Sequence, residues 1–181
     1  LSNWLEKFLY RHADQLIVNS PGFIHHVLER GAKSIELIPN GADPGMFTPL
    51  GKGAQIRQQW GLTNEFVVLY AGAHGMSNDL ELVLDSAKQL QLYSGIRFVF
   101  VGDGKEKKNL QLKAESLELS NITWLPPVPK NQMADVLAAA DVCVAILKPI
   151  EMYKTTYPNK VFDYMAAGRP VILVIDGVIR D

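Results

Sequence analysis

The stretch Tyr157-Pro-Asn-Lys-Val-Phe-Asp-Tyr-Met-Ala-Ala-Gly-Arg-Pro-Val-Ile172 holds the side chains of this chain best suited to chemistry. Thr155, Thr156, Asn159 and Lys160 crowd the start of a segment that reads as a helix. Free backbone N–H groups and the positive end of the dipole favour a phosphate there. One turn on, Asp163 offers a carboxylate to the hydroxyls of a sugar. A phosphate grip followed by a hydroxyl grip suggests a nucleotide-like ligand. The bland alternative for Lys160 and Asp163 is an exposed i,i+3 ion pair of about half a kcal/mol or less. Taken alone, that alternative carries equal weight.

Further candidates lie in other loops. Gly72-Ala-His-Gly-Met-Ser77 has two glycines, Gly72 and Gly75, that let backbone approach a ligand, with His74 between them and Ser77 placed to cap a helix. Gly102-Asp-Gly104 and Pro126-Pro-Val-Pro-Lys130 follow two other apolar runs. None of these is a Gly-x-Gly-x-x-Gly fingerprint, and no Walker sequence occurs. Taken alone, Gly72–Ser77 and Gly102-Asp-Gly104 each read as an ordinary tight turn. Lys105 to Lys108 reads as a solvated charge run. No Ser-His-Asp spacing or cysteine–histidine cluster argues for hydrolysis or a metal. His25 and His26 are adjacent on a predicted helix and so point apart.

The elements that must position these loops alternate regularly. Apolar runs predict strands at 66–71, 97–101, 122–125, 142–146 and 171–175, and helices at 78–93, 105–119, 131–140 and 159–167. Leu80, Val83, Leu84, Ala87 and Leu90 follow helical spacing. For the last helix, Pro158 suits the first position, Gly168 a left-handed end, and Pro170 forbids continuation. Strands separated by single helices imply parallel crossovers, hence an α/β doubly wound, Rossmann-like sheet with helices on both faces. In such a sheet the strand-to-helix loops emerge at one edge, where ligands bind.

Ahead of this region, 2–11 is amphipathic, with Trp4, Leu5, Phe8 and Leu9 on one stripe. Its polar face lacks a dense basic cluster, so packing on protein is the better reading than lying on a membrane. Strands are predicted at 15–19 and 34–39 around a helix at 21–30. From 42 to 53, Pro44, Gly45, Pro49, Gly51 and Gly53 mark a linker. The expected organisation is the tail of one domain at 1–41, the linker at 42–53, and a ligand-binding domain at 54–181.

At 181 residues and 48% hydrophobic content the chain is globular, and its formal net charge of -1 offers no general attraction to nucleic acid. The single cysteine, Cys143, sits in an apolar strand, so no internal disulfide is available and a reducing compartment is expected. No apolar run reaches the roughly 18 residues that span a bilayer. Leu1 is not a start methionine and the chain stops just after a strand, which reads as a fragment of a longer protein.

Several stretches together resemble one family. Asn40-Gly-Ala-Asp43 with Phe47 and Pro49 is similar to the interdomain signature of the group 1 glycosyltransferases, nucleotide-sugar enzymes with two Rossmann-like domains, the GT-B architecture. Val101-Gly-Asp-Gly104, the Ala138-Ala-Ala-Asp141 run and Phe162-Asp-Tyr-Met-Ala-Ala-Gly-Arg-Pro-Val-Ile172 match in the same order. The resemblance implies a UDP- or GDP-sugar donor, transfer to a glycan or lipid-linked hydroxyl with retention, and no metal or other cofactor. By resemblance Asp163, in place of the usual glutamate, holds the ribose. Gly72, Gly75, Gly102, Gly104, Val128, Thr155, Asn159 and Lys160 complete the donor site. Thr155 stands where the family has a second glutamate, with Glu151 as the alternative. His74 and Asn78 stand near the usual diphosphate-clamping arginine and lysine. Lys160 and His74 are therefore the expected stabilisers of the leaving diphosphate. The pattern is similar to a subgroup that assembles bacterial surface polysaccharides. A cytoplasmic protein is implied, with the full-length form acting at the inner face of the membrane. The fragment is expected to bind donor weakly without turnover. Alternatives are a GT-B epimerase and a non-catalytic interaction module.

Overall fold

A computed structural model describes residues 2–180. The chain forms two compact units, one from residues up to 41 with 149–159 and 175 onward, the other from 42–148 with 160–174.

In the first unit, α1 (Ser2–His12) leads into a small parallel pair, β1 (Leu16–Val18) beside β2 (Ile35–Leu37), joined through a 3-10 turn (Pro21–Phe23) and α2 (Ile24–Glu29). Ser20 marks the turn: its hydroxyl accepts the Gly22 N–H at 3.3 Å and donates to the Thr155 carbonyl at 2.5 Å. Helix α1 is tied down by its polar side. Glu6 accepts from His26 at 2.6 Å, Arg30 at 3.0 Å and the Tyr10 hydroxyl at 3.2 Å. The apolar stripe, which by pattern should pack on protein, is left exposed in the described chain. The two adjacent histidines do diverge: His25 faces Glu29 and His26 faces Glu6.

The second unit contains α3 (Gly53–Gln59), β3 (Phe66–Ala71), α4 (Leu80–Gln89), β4 (Ile96–Val101), α5 (Lys107–Ser116), β5 (Ile122–Leu125), α6 (Met133–Ala138), β6 (Val142–Ile146), α7 (mostly Lys160 onward, Asn159–Ala166) and β7 (Val171–Val174). The five strands are parallel in the order β5-β4-β3-β6-β7. The apolar runs are buried throughout in β6 and from Val67 on in β3, as sheets covered on both faces require. Helix α4 buries Leu80, Val83, Leu84 and Ala87, the stripe its spacing predicts. Burying one such leucine contributes about 2 kcal/mol. Helices are shorter than periodicity alone suggests. Helix α4 begins at Leu80 with Asp79, not Ser77, at its N-cap position, because Asn78 is engaged in the preceding loop. Helix α7 ends as expected, with Gly168 at φ +66 and the Arg169 N–H reaching back to the Tyr164 carbonyl at 3.0 Å.

Residues 42–53 pack as part of this unit. Phe47 is 2% exposed, Pro49 lies against Gly168, and Gly51 and Gly53 sit against α6 so closely that side chains there would collide with Ala134 and Ala138. The chain runs outward from β3 to β5, then returns to β6 on the other side of β3. That reversal is the topological switch point of the sheet, where adjacent loops diverge and leave a crevice.

Candidate functional site

The crevice is built from the ends of β3, β4 and β5 and the first turns of α7. Beyond β3 the chain turns at Gly72, and this loop is bound to the next one entirely through backbone. Gly72 donates to Val101, His74 donates to Asp103 at 2.8 Å, and Glu106 donates to the His74 carbonyl at 3.0 Å. Gly102 (φ +142) packs directly on the Gly72 carbonyl, and Gly104 on that of His74, so neither position has room for a β-carbon. Gly75 has no such constraint; the nearest atom to a β-carbon there would be the Asn78 amide nitrogen at 3.8 Å. Lys107 is not the solvated lysine its charge run suggests. Its ammonium turns back to cap the Gly102 carbonyl at 2.6 Å and the Leu125 carbonyl at 3.0 Å.

Lys160 reaches into this crevice from α7. Its ammonium donates to the Tyr70 hydroxyl at 2.9 Å and lies 4.2 Å from the Tyr70 ring centroid. A β-carbon at Gly72 would sit 3.1 Å from it, so the absence of a side chain at Gly72 admits the ammonium beneath the loop. Among the described residues Lys160 has no carboxylate partner, and the i,i+3 pair with Asp163 does not form. Burial pulls the lysine down to about 8, so the ammonium still predominates at neutral pH. Asp163 is half-buried one turn later. Burial raises its carboxyl, and the charge of Lys130 partly offsets that.

Two adjoining hollows meet at Gly72, Val128 and Met133. One, of about 290 Å³, is lined by Lys160, Asp163, Lys130 and Phe47; the other, of about 270 Å³, runs over Gly102, Asp103 and Pro127. Gly72, Gly102, Val128, Lys160 and Asp163 are thus brought together, with Gly104 and Asn78 supporting the loops.

His74 departs from the reading as a charged clamp. Its ring is fully buried among Tyr70, Phe100 and Trp124, 5.8 to 6.1 Å away, and neither ring nitrogen has a hydrogen-bond partner among the described residues. Burial first, then the charge of Lys107, lowers it to about 4, so it is uncharged at neutral pH. Thr155, Asn159 and Glu151 belong to the other unit. The Thr155 hydroxyl closes its own 3-10 turn on Met152, Asn159 accepts from Asn40 at 2.6 Å, and Glu151 pairs with Lys154 at 2.6 Å. Tyr70 and Lys107 escaped sequence reasoning. The only available signal was a tyrosine two residues before a loop glycine.

A parallel sheet with interlocked glycine turns at its switch point makes the second unit a Rossmann-like domain. The family model described as "Glycosyl transferases group 1" matches residues 65–180, and the chain belongs to that family. It is 27% identical over 174 residues to a D-inositol 3-phosphate glycosyltransferase of Segniliparus rotundus, covering 91% of this chain and 37% of that one. It is 22% identical to a provisionally assigned colanic acid biosynthesis glycosyl transferase of Escherichia coli, covering 97% of this chain and 44% of the other. Among solved structures, Anabaena HepE in complex with UDP-glucose superposes with a TM-score of 0.81 at 20% identity, over 99% of this chain and 51% of that one. This chain spans about two-fifths of the length of those curated relatives. Among the described residues no helix is long and apolar enough to cross a membrane, and no cluster of metal-ligating side chains occurs.

Proposed function

We propose that the second unit binds the nucleoside diphosphate sugar donor of a glycosyltransferase, with UDP-sugar as the donor. The reading rests on one observation above all. Lys160 is a partly desolvated ammonium with no carboxylate partner, held beneath a glycine turn in an open hollow that Asp163 also lines. Such a cation gains most from a phosphate, because its burial is already incurred. In this reading the diphosphate lies over Gly72 and Lys160, Asp163 accepts from ribose hydroxyls, and the base occupies the hollow along Gly102 and Val128. HepE, which superposes on this chain, was crystallised with UDP-glucose, and that supports uridine over guanosine.

In the transfer, the bond between the sugar's anomeric carbon and the diphosphate oxygen breaks, and the diphosphate leaves with the electron pair. An acceptor hydroxyl oxygen forms the new bond on the same face, giving retention, and its proton passes to the departing diphosphate oxygen. Lys160 stabilises the negative charge that grows on the leaving oxygens, a role that needs no metal. His74 shapes the loop and supplies no charge. The acceptor is a glycan or lipid-linked hydroxyl of a bacterial surface polymer at the cytoplasmic face of the membrane, met by parts of the longer protein.

Calorimetry with UDP, GDP, UMP and NAD tests this reading. UDP is expected to bind best, with Lys160→Ala weakening it about tenfold to a hundredfold and Asp163→Ala about tenfold. If no nucleotide binds either this chain or its full-length parent, the chain is an interaction module and the donor-site reading falls.

A further inference from the structure

Tyr70 lies under the Lys160 ammonium, and its hydroxyl makes two hydrogen bonds. A phenol offers one proton and accepts through oxygen. The direction of both bonds is fixed by the partners. The Ala73 carbonyl, 2.7 Å away, can only accept, so Tyr70 donates to it. The Lys160 ammonium, 2.9 Å away, can only donate, so Tyr70 accepts from it. The ring is 1% exposed and packed against Phe100 and His74, which fixes the hydroxyl in space. The Ala73 carbonyl also receives the Asn78 amide at 3.0 Å. One atom therefore joins the cation of α7 to the loop that follows β3, across 90 residues of sequence.

We infer that Tyr70 is a positioning residue for the anion site, its hydroxyl holding the Lys160 ammonium and the Gly72–Asn78 loop in register. The inference rests on the donor-site reading for its consequence, not for its geometry. One ammonium proton is committed to Tyr70, and the other two are left to serve an anion. Phenylalanine at 70 would keep the packing and the ring face under the ammonium but lose both hydrogen bonds. A purely structural ring would tolerate that change. A positioning hydroxyl would not, because the oxygen that favours the charged form of Lys160 is gone. The other charged or titratable groups around this point, among the described residues, include His74 from the loop, Asp103 after β4, Lys107 from α5, Lys130 ahead of α6, and Asp163 and Tyr164 on α7 itself. None of them takes the Tyr70 hydroxyl's place: among the described residues the ammonium donates to Tyr70 alone.

The test is an NMR titration of Lys160, labelled at its terminal carbon and assigned by Lys160→Met, in this 181-residue chain without ligand. Tyr70→Phe is expected to lower the midpoint by about one pH unit. UDP affinity at pH 7 should fall about tenfold and recover in part at pH 6, where the lysine is charged again. Asn78→Ala, which touches the same carbonyl but not the ammonium, should leave the Lys160 midpoint in place. If Tyr70→Phe does not fold, 3-fluorotyrosine at position 70 keeps the ring and hydroxyl but accepts more weakly. It should move the midpoint in the same direction by less. An unmoved Lys160 midpoint in a folded variant overturns the inference. Absence of nucleotide binding by both the unaltered chain and its full-length parent overturns the donor-site reading instead, and the titration still decides the role of Tyr70.

Discussion

The two edges of the five-stranded sheet treat charge in opposite ways. At the amino edge, Arg57 donates from Nε to the Ala139 carbonyl at 2.8 Å, from one terminal nitrogen to Glu65 at 3.0 Å, and from the other to Asp141. The same Asp141 oxygen accepts the Val67 N–H at 2.7 Å. This latch clasps the starts of β3 and β6, and its groups are committed to one another. At the carboxyl edge, Lys160 makes one hydrogen bond to a neutral phenol and Asp163 makes no ion pair among the described residues. Charges satisfied within the fold hold it together; charges left partly unsatisfied in an open hollow mark where a ligand completes them.

The largest expected effect breaks the latch. Asp141→Ala leaves the Arg57 guanidinium and the Val67 N–H short of a partner in a half-buried place. A loss of about 2–3 kcal/mol in urea unfolding is expected, discounted for partial solvent access. UDP affinity of the folded protein should not change. Loss of binding without loss of stability would mean that the two edges do not divide the labour as described.

The opposite outcome is expected for Lys160→Met: weaker UDP binding and a more stable fold, by about 1–3 kcal/mol. The sign follows from the titration. The lysine sits at about 8 in the fold against an ordinary value of 10.5, so the unfolded chain holds the proton more tightly. Stability carried by this group is complete above 10.5 and lost as pH falls through about 8. The rise in stability of the native protein between those values should flatten in the variant.

His74 extends the comparison to acid. Its folded value of about 4 against 6.5 means that stability is complete above 6.5 and lost as pH falls toward 4, by about 1–3 kcal/mol. His74→Phe is expected to remove that acid slope and to leave UDP binding at pH 7 intact. If the substitution abolishes binding while the loop stays folded, the imidazole has a role beyond shaping the turn.

Much of this division was legible in sequence, for identifiable reasons. Strands β3 and β6 are continuous apolar runs, and α7 carries its stop signal in Gly168 and Pro170, so the sheet and its loop edge followed from local pattern. Gly72, Lys160 and Asp163, which line one hollow, stand out in sequence because glycine, ammonium and carboxylate are visible as types. What pattern could not show was direction. Nothing local says that Lys107 turns back to two carbonyls, that His74 points into an aromatic box, or that Lys160 chooses Tyr70 over Asp163. The same limit explains Thr155 and Asn159. Their partners, Ser20 and Asn40, lie more than 100 residues earlier, so the unit they join is fixed by long-range contacts and not by the loop they share with the helix start.

Asp163 gives the smallest expected effect and the sharpest discrimination between a ligand-directed carboxylate and an ordinary surface one. Its folded value is raised, chiefly by burial, so its contribution to stability is complete below the ordinary carboxylate range and lost as pH rises through the raised value. Near neutral pH the ionised form therefore costs the fold a little. Asp163→Asn should stabilise the protein by less than about 1 kcal/mol, since the group is partly solvated. The amide keeps the shape and can still accept one hydrogen bond, so UDP affinity should fall less than in Asp163→Ala, by about three- to fivefold. UDP should then bind the variant only about two- to threefold better than its 2′,3′-dideoxy analogue. If the variant still distinguishes the two nucleotides as the native protein does, the ribose is held elsewhere, and Asp163 reverts to a surface charge with no more purpose than its neighbours.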